Sequence, residues 1–346
     1  MSTRSRFSTT VSLWLLCSTA LLSSCGDEIY ASLYATAPLA PSFAEEDVVA
    51  LEHLGPTLVD QGVNFGVWSS AASRIDLLLF DDPEADQPTQ QFELVRHGDV
   101  WNLYVEGIGE GQHYGYVAWG PNWEFHEDWH PGSIEGFVAD VDSAGNRFNP
   151  NKLLIDPWAK AVHRDHDWLR ASNASGPART ESTWGAGAKS VVVRSHYVWS
   201  DNEEEWRQAR RERSLEDHGQ ADLVVYEVHP KGFTADPSSG VDHPGTFKGI
   251  GEKAAYLADL GITAVELLPI HEKPLDGGYW GYNNIHFFAP ELSYSQAFRD
   301  QGRPDLVIQE FKGGPGPVVV LPCQDFPGVS ARNLRQDVVM PALFGL

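Results

Sequence analysis

The sequence has 346 residues, of which 42% are hydrophobic and 11% aromatic, and its formal net charge is −23. A chain of this length can form two domains with substantial cores, and this composition argues against general disorder. The acidic excess argues against a nucleic-acid partner, because phosphate binding needs clustered lysine and arginine. A neutral polymer remains a compatible partner.

The N-terminus has the features of a secretion signal. Two arginines precede an apolar run, residues 11–22, that is too short to span a bilayer comfortably. The run ends at a Leu-Ser-Ser-Cys motif that resembles the bacterial lipobox, in which the cysteine is lipidated and becomes the new N-terminus. We therefore expect a lipoprotein signal peptide (1–24), a lipid anchor on Cys25 that holds an exported protein in the bacterial cell envelope, and a tether (25–44). A plain signal peptide with an incidental cysteine is the alternative.

Cleavage at this motif would leave two cysteines, Cys25 and Cys323. If Cys25 carries lipid, neither an intramolecular disulfide nor a zinc site built on cysteine is expected. Close histidine pairs such as His126 and His130 lack a persuasive set of further ligands. We therefore predict no bound metal and no cofactor.

Residues 45–162 have the pattern of short strands separated by turns. Residues 100–105 and 113–118 alternate in polarity around a link that contains glycine, which predicts a hairpin in an antiparallel sandwich. Residues 75–80 are largely apolar, which predicts a strand buried on both faces. We assign residues 45–162 to an immunoglobulin-like β-sandwich.

The aromatic residues of these strands have two interpretations. They could stack on pyranose rings, but alternate positions of a sandwich strand more often face the core. We therefore interpret them as mainly structural; they are Trp101, Tyr104, Tyr114, Tyr116 and Trp119.

A predicted linker, residues 163–220, contains a charged segment, residues 203–216, that we expect to form a solvated helix. The pattern beyond it is that of a β/α fold. A predicted strand (223–228) is followed by a helix with a left-handed end at Gly261 and by a second strand (262–268). The first strand is apolar enough that we expect both of its faces to be covered.

We assign residues 221–312 to the first β/α units of an incomplete (β/α)8 TIM barrel, so that the chain has several domains. The helix after the second strand meets the glycine- and proline-rich residues 313–317, which cannot propagate it. Residues 313–346 are expected to be a divergent tail, produced by truncation or by a shifted reading frame.

Three motifs resemble one enzyme family. Residues 226–229 (YEVH), 265–269 (VELLP) and 279–284 (YWGYNN) resemble the glycogen-debranching and isoamylase branch of glycoside hydrolase family 13, the α-amylase superfamily. Residues 98–120 and 148–160 resemble the N-terminal domain of these enzymes, which belongs to carbohydrate-binding module family 48. The resemblance implies hydrolysis of α-1,6 branch linkages in an α-glucan such as glycogen or starch.

The resemblance places Tyr282 under the sugar whose linkage is attacked, with Trp280 beside it. An aromatic platform there would exclude water and orient the ring. Asn283, His271 and Glu272 are weaker candidates for lining the same cleft. Simple packing of the loop is the alternative role for these side chains.

Glycoside hydrolysis needs two carboxyl groups that flank the bond. The resemblance places both groups after later strands, beyond Leu346, so no catalytic residue is predicted in this chain. Glu227 and Glu266 lie within strands, whereas barrel enzymes keep their chemistry in loops beyond the strand ends. We expect these two carboxylates to be buried and structural.

Three functions therefore stay open. The first is an exported, lipid-anchored member of the debranching group that acts on α-glucan and is inactive as a 346-residue chain. The second is a non-catalytic lipoprotein that binds glucan through its sandwich. The third is a scaffold without a ligand, which buried aromatic residues would favour.

Overall fold

The computed structural model describes residues 54–167, 173–194, 224–262, 264–275, 278–313 and 320–322. The predicted signal peptide, Cys25, the tether and the charged segment lie outside the described residues. Within the described residues, no helix combines the length and the apolar character that crossing a membrane requires.

Eight strands form the N-terminal half of the described structure. They are β1 (Gly55–Val59), β2 (Gly62–Trp68), β3 (Arg74–Phe80), β4 (Gln90–Glu93), β5 (Val95–His97), β6 (Val100–Glu106), β7 (His113–Trp119) and β8 (Ser190–Val191). They build two four-stranded sheets, with strand orders β1-β2-β6-β5 and β4-β3-β7-β8. All the pairs are antiparallel, which confirms the predicted sandwich.

A core of large apolar side chains fills the space between the sheets. Alternate residues of β3, Ile75, Leu77 and Leu79, face it, and Phe65 of β2 meets Tyr114 of β7 edge to face at 4.9 Å. The other face of β3 is covered as well, so residues 75–80 are all buried, as predicted. Burial of this apolar surface is the main stabilising contribution to the sandwich.

The predicted hairpin between β6 and β7 is wrong. β6 pairs with β2 and β5, whereas β7 pairs with β3 and β8 in the opposite sheet. The link turns away from β6 at once, because Gly107 has a φ of 83° and donates its N–H to the oxygen of Gln61 beside β2. Positive φ values of this kind favour glycine. The link therefore carries the chain between the sheets.

The structural interpretation of the strand aromatics is confirmed for four of the five. Trp101, Tyr114, Tyr116 and Trp119 are buried. Tyr104 is 43% exposed, and its hydroxyl donates a hydrogen bond to the main-chain oxygen of Asp60.

The sandwich also uses part of the segment predicted as a linker. β8 pairs with β7 through Val191 and His113 and through Ser190 and Tyr114. Ser190 accepts a hydrogen bond from the main-chain N–H of Asp156. The predicted end of the sandwich at residue 162 therefore leaves out one strand of its sheet.

The C-terminal half begins a β/α fold. Its strands are β9 (Val225–Val228), β10 (Ala264–Leu267) and β11 (Val320–Pro322), which are parallel and have the order β11-β10-β9. Its helices are α1 (Phe247–Glu252), α2 (Ala254–Asp259), α3 (Gln296–Gln301) and α4 (Val307–Gly313). Parallel strands joined through helices confirm the predicted opening of a barrel domain.

β11 was not predicted. The segment was assigned to a divergent tail after the glycine- and proline-rich residues, and α4 does end at Gly313 where they begin. The chain nevertheless adds a third parallel strand beyond them, in register with Val265 to Leu267 of β10. The β-branched run at residues 318–320 is the local signal for this strand.

The prediction that the first barrel strand is covered on both faces is wrong. Val228 packs in a cluster with Leu257 of α2 and Val265 of β10, but Val225 and Glu227 on the other face are exposed. Successive side chains of a strand point to opposite faces, so only the helix-covered face is buried. The expectation that Glu227 is buried is therefore wrong too, and its neighbour Glu266 is only partly buried.

The single predicted helix before Gly261 is divided in two. α1 is capped by Thr246, whose hydroxyl accepts the N–H of Gly249, and the chain leaves helical geometry at Lys253 before α2 begins. Glycine inside α1 weakens helical propagation. Gly261 has a φ of 84°, the left-handed conformation that was predicted there.

Candidate functional site

The predicted site residues lie beyond the C-terminal ends of β9 and β10. His229 follows β9 directly, and the motif of residues 279–284 comes after the loop that leaves β10. Barrel enzymes build their active sites at this end of the strands. The position agrees with the expected location of a sugar-contacting loop.

His229 anchors this loop through both of its ring nitrogens. Its Nδ1 accepts the main-chain N–H of Gly232 at 3.0 Å and that of Lys231 at 3.2 Å. An amide N–H can only donate, so the ring proton is on Nε2, which donates to the oxygen of Tyr279 at 2.5 Å. Burial lowers the pKa of His229, which favours this neutral form.

Aromatic rings surround His229. Tyr279 stacks on it with ring centroids 4.4 Å apart and planes inclined by 7°, while Trp280 and the buried Tyr294 meet it edge-on at 5.8 and 5.6 Å. Gly232 leaves room for this arrangement, because a Cβ there would lie 2.5 Å from the hydroxyl of Tyr279. The start of the loop is therefore fixed against the end of β9.

Beyond Tyr279 the loop presents the predicted residues to solvent. Trp280 is 58% exposed and Tyr282 is 65% exposed, and Asn283 is exposed as well, with its side chain packed against Gly278. Between the two aromatics the chain turns at Gly281, which has a φ of 81° and could carry a side chain only under strain. Both aromatic side chains are therefore accessible on the open surface of the loop.

The two weaker candidates do not line this open surface in the described structure. Glu272 is fully buried and accepts the N–H of Leu292 at 3.0 Å. His271 is partly buried, and burial lowers its pKa to about 4. The ring of His271 meets that of Phe287 edge to face at 6.4 Å.

A group of three carboxylates was missed by the sequence analysis. Asp165, Glu272 and Glu291 offer oxygens within 4.8 Å of one another, and both glutamates are fully buried. Burial, followed by the charge of Glu291, raises the pKa of Glu272 well above its ordinary value. Lys273 pairs with Glu291 at 3.6 Å, so one of the three charges is compensated within the protein, and the raised pKa of Glu272 favours its protonated form. The members of the group come from three distant segments, so no local motif could have revealed it.

Glu227 and Glu266 face each other in register across β9 and β10. They lie within strands rather than in the loops at the strand ends, so the geometry gives neither the role of acid or nucleophile. His229, which holds the Tyr279 loop, was not among the predicted site residues, and its motif (residues 226–229) contributed only to the family resemblance.

Residues 53–159 match the family described as "Carbohydrate-binding module 48 (Isoamylase N-terminal domain)". The chain is 37% identical over 298 residues to the isoamylase of Pseudomonas amyloderamosa, an alignment that covers 78% of this chain and 37% of that protein. It is 31% identical over 276 residues to the glycogen debranching enzyme of Salmonella paratyphi B, covering 75% of this chain and 35% of that protein. The chain thus spans about a third of the length of the curated relatives it matches.

Among solved structures, the chain resembles the pullulanase from Paenibacillus barengoltzii in complex with maltohexaose and α-cyclodextrin. The TM-score is 0.51 at 21% identity, with 78% of this chain and 37% of that chain covered, which is evidence for a shared fold. Together with the two sheets and the parallel strands described above, the comparisons identify the family: this chain consists of an isoamylase-type carbohydrate-binding module 48 domain followed by the opening part of a barrel of the α-amylase superfamily.

Proposed function

We propose that the protein acts on α-1,6 branch linkages of α-glucan and that this chain supplies two of its glucan-contacting surfaces. One is the platform formed by Trp280 and Tyr282, and the other lies on the sandwich. The names of its relatives, isoamylase and glycogen debranching enzyme, support this substrate class.

The observation that carries the proposal is the anchoring of the Tyr279 loop by His229. Its three hydrogen bonds and the 4.4 Å ring stack hold the loop at the end of β9, so that Trp280 and Tyr282 project from a rigid base. A platform fixed in this way can contact the apolar face of a pyranose ring without a large loss of entropy.

Hydrolysis itself would need a proton donor and a nucleophile on opposite sides of the glycosidic bond. Glu272 and Glu291 are fully buried, and Glu227 and Glu266 lie within strands, so none of these four carboxylates has the placement of a catalytic acid or nucleophile. We therefore expect the 346-residue polypeptide to recognise glucan without cleaving it. A non-catalytic glucan-binding lipoprotein is the second candidate function.

We further propose that the protein is exported and attached to a membrane through lipid on Cys25. The support is the sequence motif alone, since Cys25 lies outside the described residues. Metabolic labelling with a radioactive fatty acid should label the wild-type protein and not Cys25→Ala. Equal labelling of both would refute the lipid anchor and leave the glucan proposal unaffected.

Affinity electrophoresis in gels that contain amylopectin tests the proposed substrate class. The wild-type chain should be retarded, and Tyr282→Ala should be retarded less, by about a factor of two to three in apparent affinity because one solvent-exposed ring contact is lost. Tyr256→Ala is the matched control, since Tyr256 is 52% exposed on α2, away from the platform. Absence of retardation by amylopectin would contradict the proposed function.

A further inference from the structure

A lysine, a histidine and a glutamate are joined by hydrogen bonds on the surface of α1. Nζ of Lys248 lies 3.1 Å from Nε2 of His243, and Nδ1 of the same ring is bonded to the carboxylate of Glu252. Lys248 and Glu252 are four residues apart, so their side chains lie on one face of α1. The ring of His243, which belongs to the loop before α1, bridges them.

The hydrogen bonds determine where the protons of these three side chains lie. An ammonium group can only donate, so Nζ of Lys248 donates and Nε2 of His243 accepts. The ring proton of His243 is therefore on Nδ1, which donates to Glu252. The other carboxylate oxygen of Glu252 accepts the main-chain N–H of Asp242 at 2.7 Å, which orients the carboxylate. The basic nitrogen of the imidazole is thus held against the amine of Lys248.

The loop that carries His243 is held against α1 through its backbone. The hydroxyl of Thr246 donates to the main-chain oxygen of His243 at 2.8 Å. A Cβ at Gly249 would lie 2.2 Å from that oxygen, so the loop approaches the helix closely. The guanidinium of Arg299 donates to the main-chain oxygen of Gly245 at 2.8 Å. The imidazole therefore keeps its place beside Lys248 while a reaction proceeds at Nζ.

This arrangement gives Lys248 the neighbours of a nucleophile. A lysine amine attacks an electrophile only after it has lost a proton, and lysine amines are almost wholly protonated near neutral pH. His243 can take that proton, and Glu252 then stabilises the imidazolium, which is the order of groups found beside catalytic nucleophiles. Lys248 is exposed, and the side chains of His243 and Glu252 are 26% and 28% exposed, so an electrophile can reach Nζ from solvent.

The aldehyde of a reducing sugar is the electrophile for which a fixed base matters most. Condensation of an amine with this aldehyde gives an imine, which water reverses. The adduct becomes permanent only when a base removes the proton from C2 of the sugar and the imine rearranges to an aminoketose. A base held beside Nζ therefore serves both stages, whereas a single acyl transfer would use it once.

We propose that Lys248 is a site of covalent modification by reducing sugars and that His243 is the base. Nζ passes a proton to Nε2 of His243 and forms a bond to C1 of the open-chain sugar. The carbonyl oxygen leaves as water with two protons of the original ammonium group, one of them returned by His243, and a protonated imine remains.

The rearrangement needs no oxidant or reductant. His243 takes the proton from C2, and the electron pair of the broken C–H bond forms a double bond between C1 and C2 as the imine becomes an amine. A proton added at C1 and a proton lost from the C2 hydroxyl then give the aminoketose. This inference goes beyond the proposed function and does not depend on it, because the site lies on α1 and the electrophile is any reducing sugar.

Incubation of the 346-residue chain with D-glucose in a buffer without phosphate, followed by peptide mapping with mass spectrometry, tests the proposal. Lys248 should gain the mass of one hexose less one water about five to ten times faster than Lys231. Lys231 is the matched reference, because it is also exposed and close to a histidine, but both ring nitrogens of that histidine, His229, are engaged in hydrogen bonds. Methyl α-D-glucopyranoside, which has no aldehyde, should modify neither lysine.

Two substitutions separate the effect of the base from that of exposure. His243→Gln keeps a hydrogen-bond acceptor for Lys248 but is not a base near neutral pH, so the rate at Lys248 should fall to that at Lys231. Glu252→Gln should lower the rate at Lys248 by about a factor of two to three, because the imidazolium loses its carboxylate. Circular dichroism should accompany both variants, and if His243→Gln fails to fold, Glu252→Gln decides the matter.

Equal rates at Lys248 and Lys231 in the wild type would overturn the proposal. An unchanged rate at Lys248 in the folded variants would overturn it as well, since the reactivity would then not come from the base. Adducts formed with the methyl glycoside would contradict the aldehyde chemistry.

Discussion

His286 donates a hydrogen bond from Nε2 to the main-chain oxygen of Asp156 at 2.8 Å, and so joins the loop after β10 to the end of the sandwich. Its Nδ1 accepts the N–H groups of Phe288 and Ala289, both at 3.0 Å. Nearby, the rings of Trp158 and Phe288 stack with centroids 4.8 Å apart. The two parts of the chain therefore share a junction in which one buried imidazole uses both nitrogens.

This junction should weaken in acid. Burial lowers the pKa of His286 to about 4, below its ordinary value of 6.5, so the folded state favours the neutral ring. The stability that it contributes is present above pH 6.5 and is lost as the pH falls towards 4, by up to about 3 kcal/mol. Denaturant unfolding of the wild type and of His286→Gln should show a wild-type advantage at pH 7.5 that shrinks at pH 4.5. A difference that does not change with pH would contradict this assignment.

The stability contribution of Asp156 should depend on pH in the opposite direction to that of His286. It is fully buried, accepts the hydroxyl of Tyr114 at 2.7 Å, and has its pKa raised to about 6 by burial. Because the folded pKa exceeds the ordinary value, the stability from its protonated form is present below pH 4 and is lost as the pH rises through 6. Asp156→Asn keeps an acceptor oxygen and should be more stable than the wild type at pH 7.5, by up to about 3 kcal/mol. The free energies of unfolding of the two proteins should converge at pH 4. An equal difference in stability at pH 7.5 and pH 4 would show that ionisation of Asp156 is not its cause.

Gly232 should be required for the geometry of the site. Its Cβ in Gly232→Ala would lie 2.5 Å from the hydroxyl of Tyr279, so the stack on His229 must shift at a cost of about 1–3 kcal/mol. Amide hydrogen exchange at residues 278–284 should become faster in this variant. Gly109→Ala is the control, because nothing lies within 4 Å of its added Cβ. Unchanged exchange in Gly232→Ala would show that the stack does not hold the loop.

The chain should release no reducing sugar from pullulan. The carboxylates of Glu227 and Glu266 lie within neighbouring strands, and the side chains of Glu272 and Glu291 are fully buried, so none of these four can flank a glycosidic bond. Glu227→Gln and Glu266→Gln should therefore change nothing in a sensitive reducing-sugar assay. Hydrolysis that either substitution abolishes would overturn the interpretation of these residues as non-catalytic.

The sequence predicted the features that depend on local pattern. Apolar continuity revealed β3, and the strand, helix and strand succession revealed the opening of the barrel. The strand pairing that it predicted wrongly depends on distant partners. The pairing of β6 with β2 rather than β7 follows from the packing of two sheets, and no property of residues 100–118 alone decides it.

The same reason explains which site residues were found. Trp280 and Tyr282 belong to one short motif that resembles a known family, so the sequence was sufficient to nominate them. Asp165, Glu272 and Glu291 meet only in the folded chain. This group needed the fold before its chemistry could be recognised.

Recognition of α-glucan is the central claim, and a co-sedimentation assay with insoluble polysaccharide tests it most directly. The purified 346-residue chain should sediment with starch granules, be released by added maltoheptaose, and stay in solution with microcrystalline cellulose, whose glucose units are joined by β-linkages. Equal sedimentation with starch and cellulose, or with neither, would contradict the account.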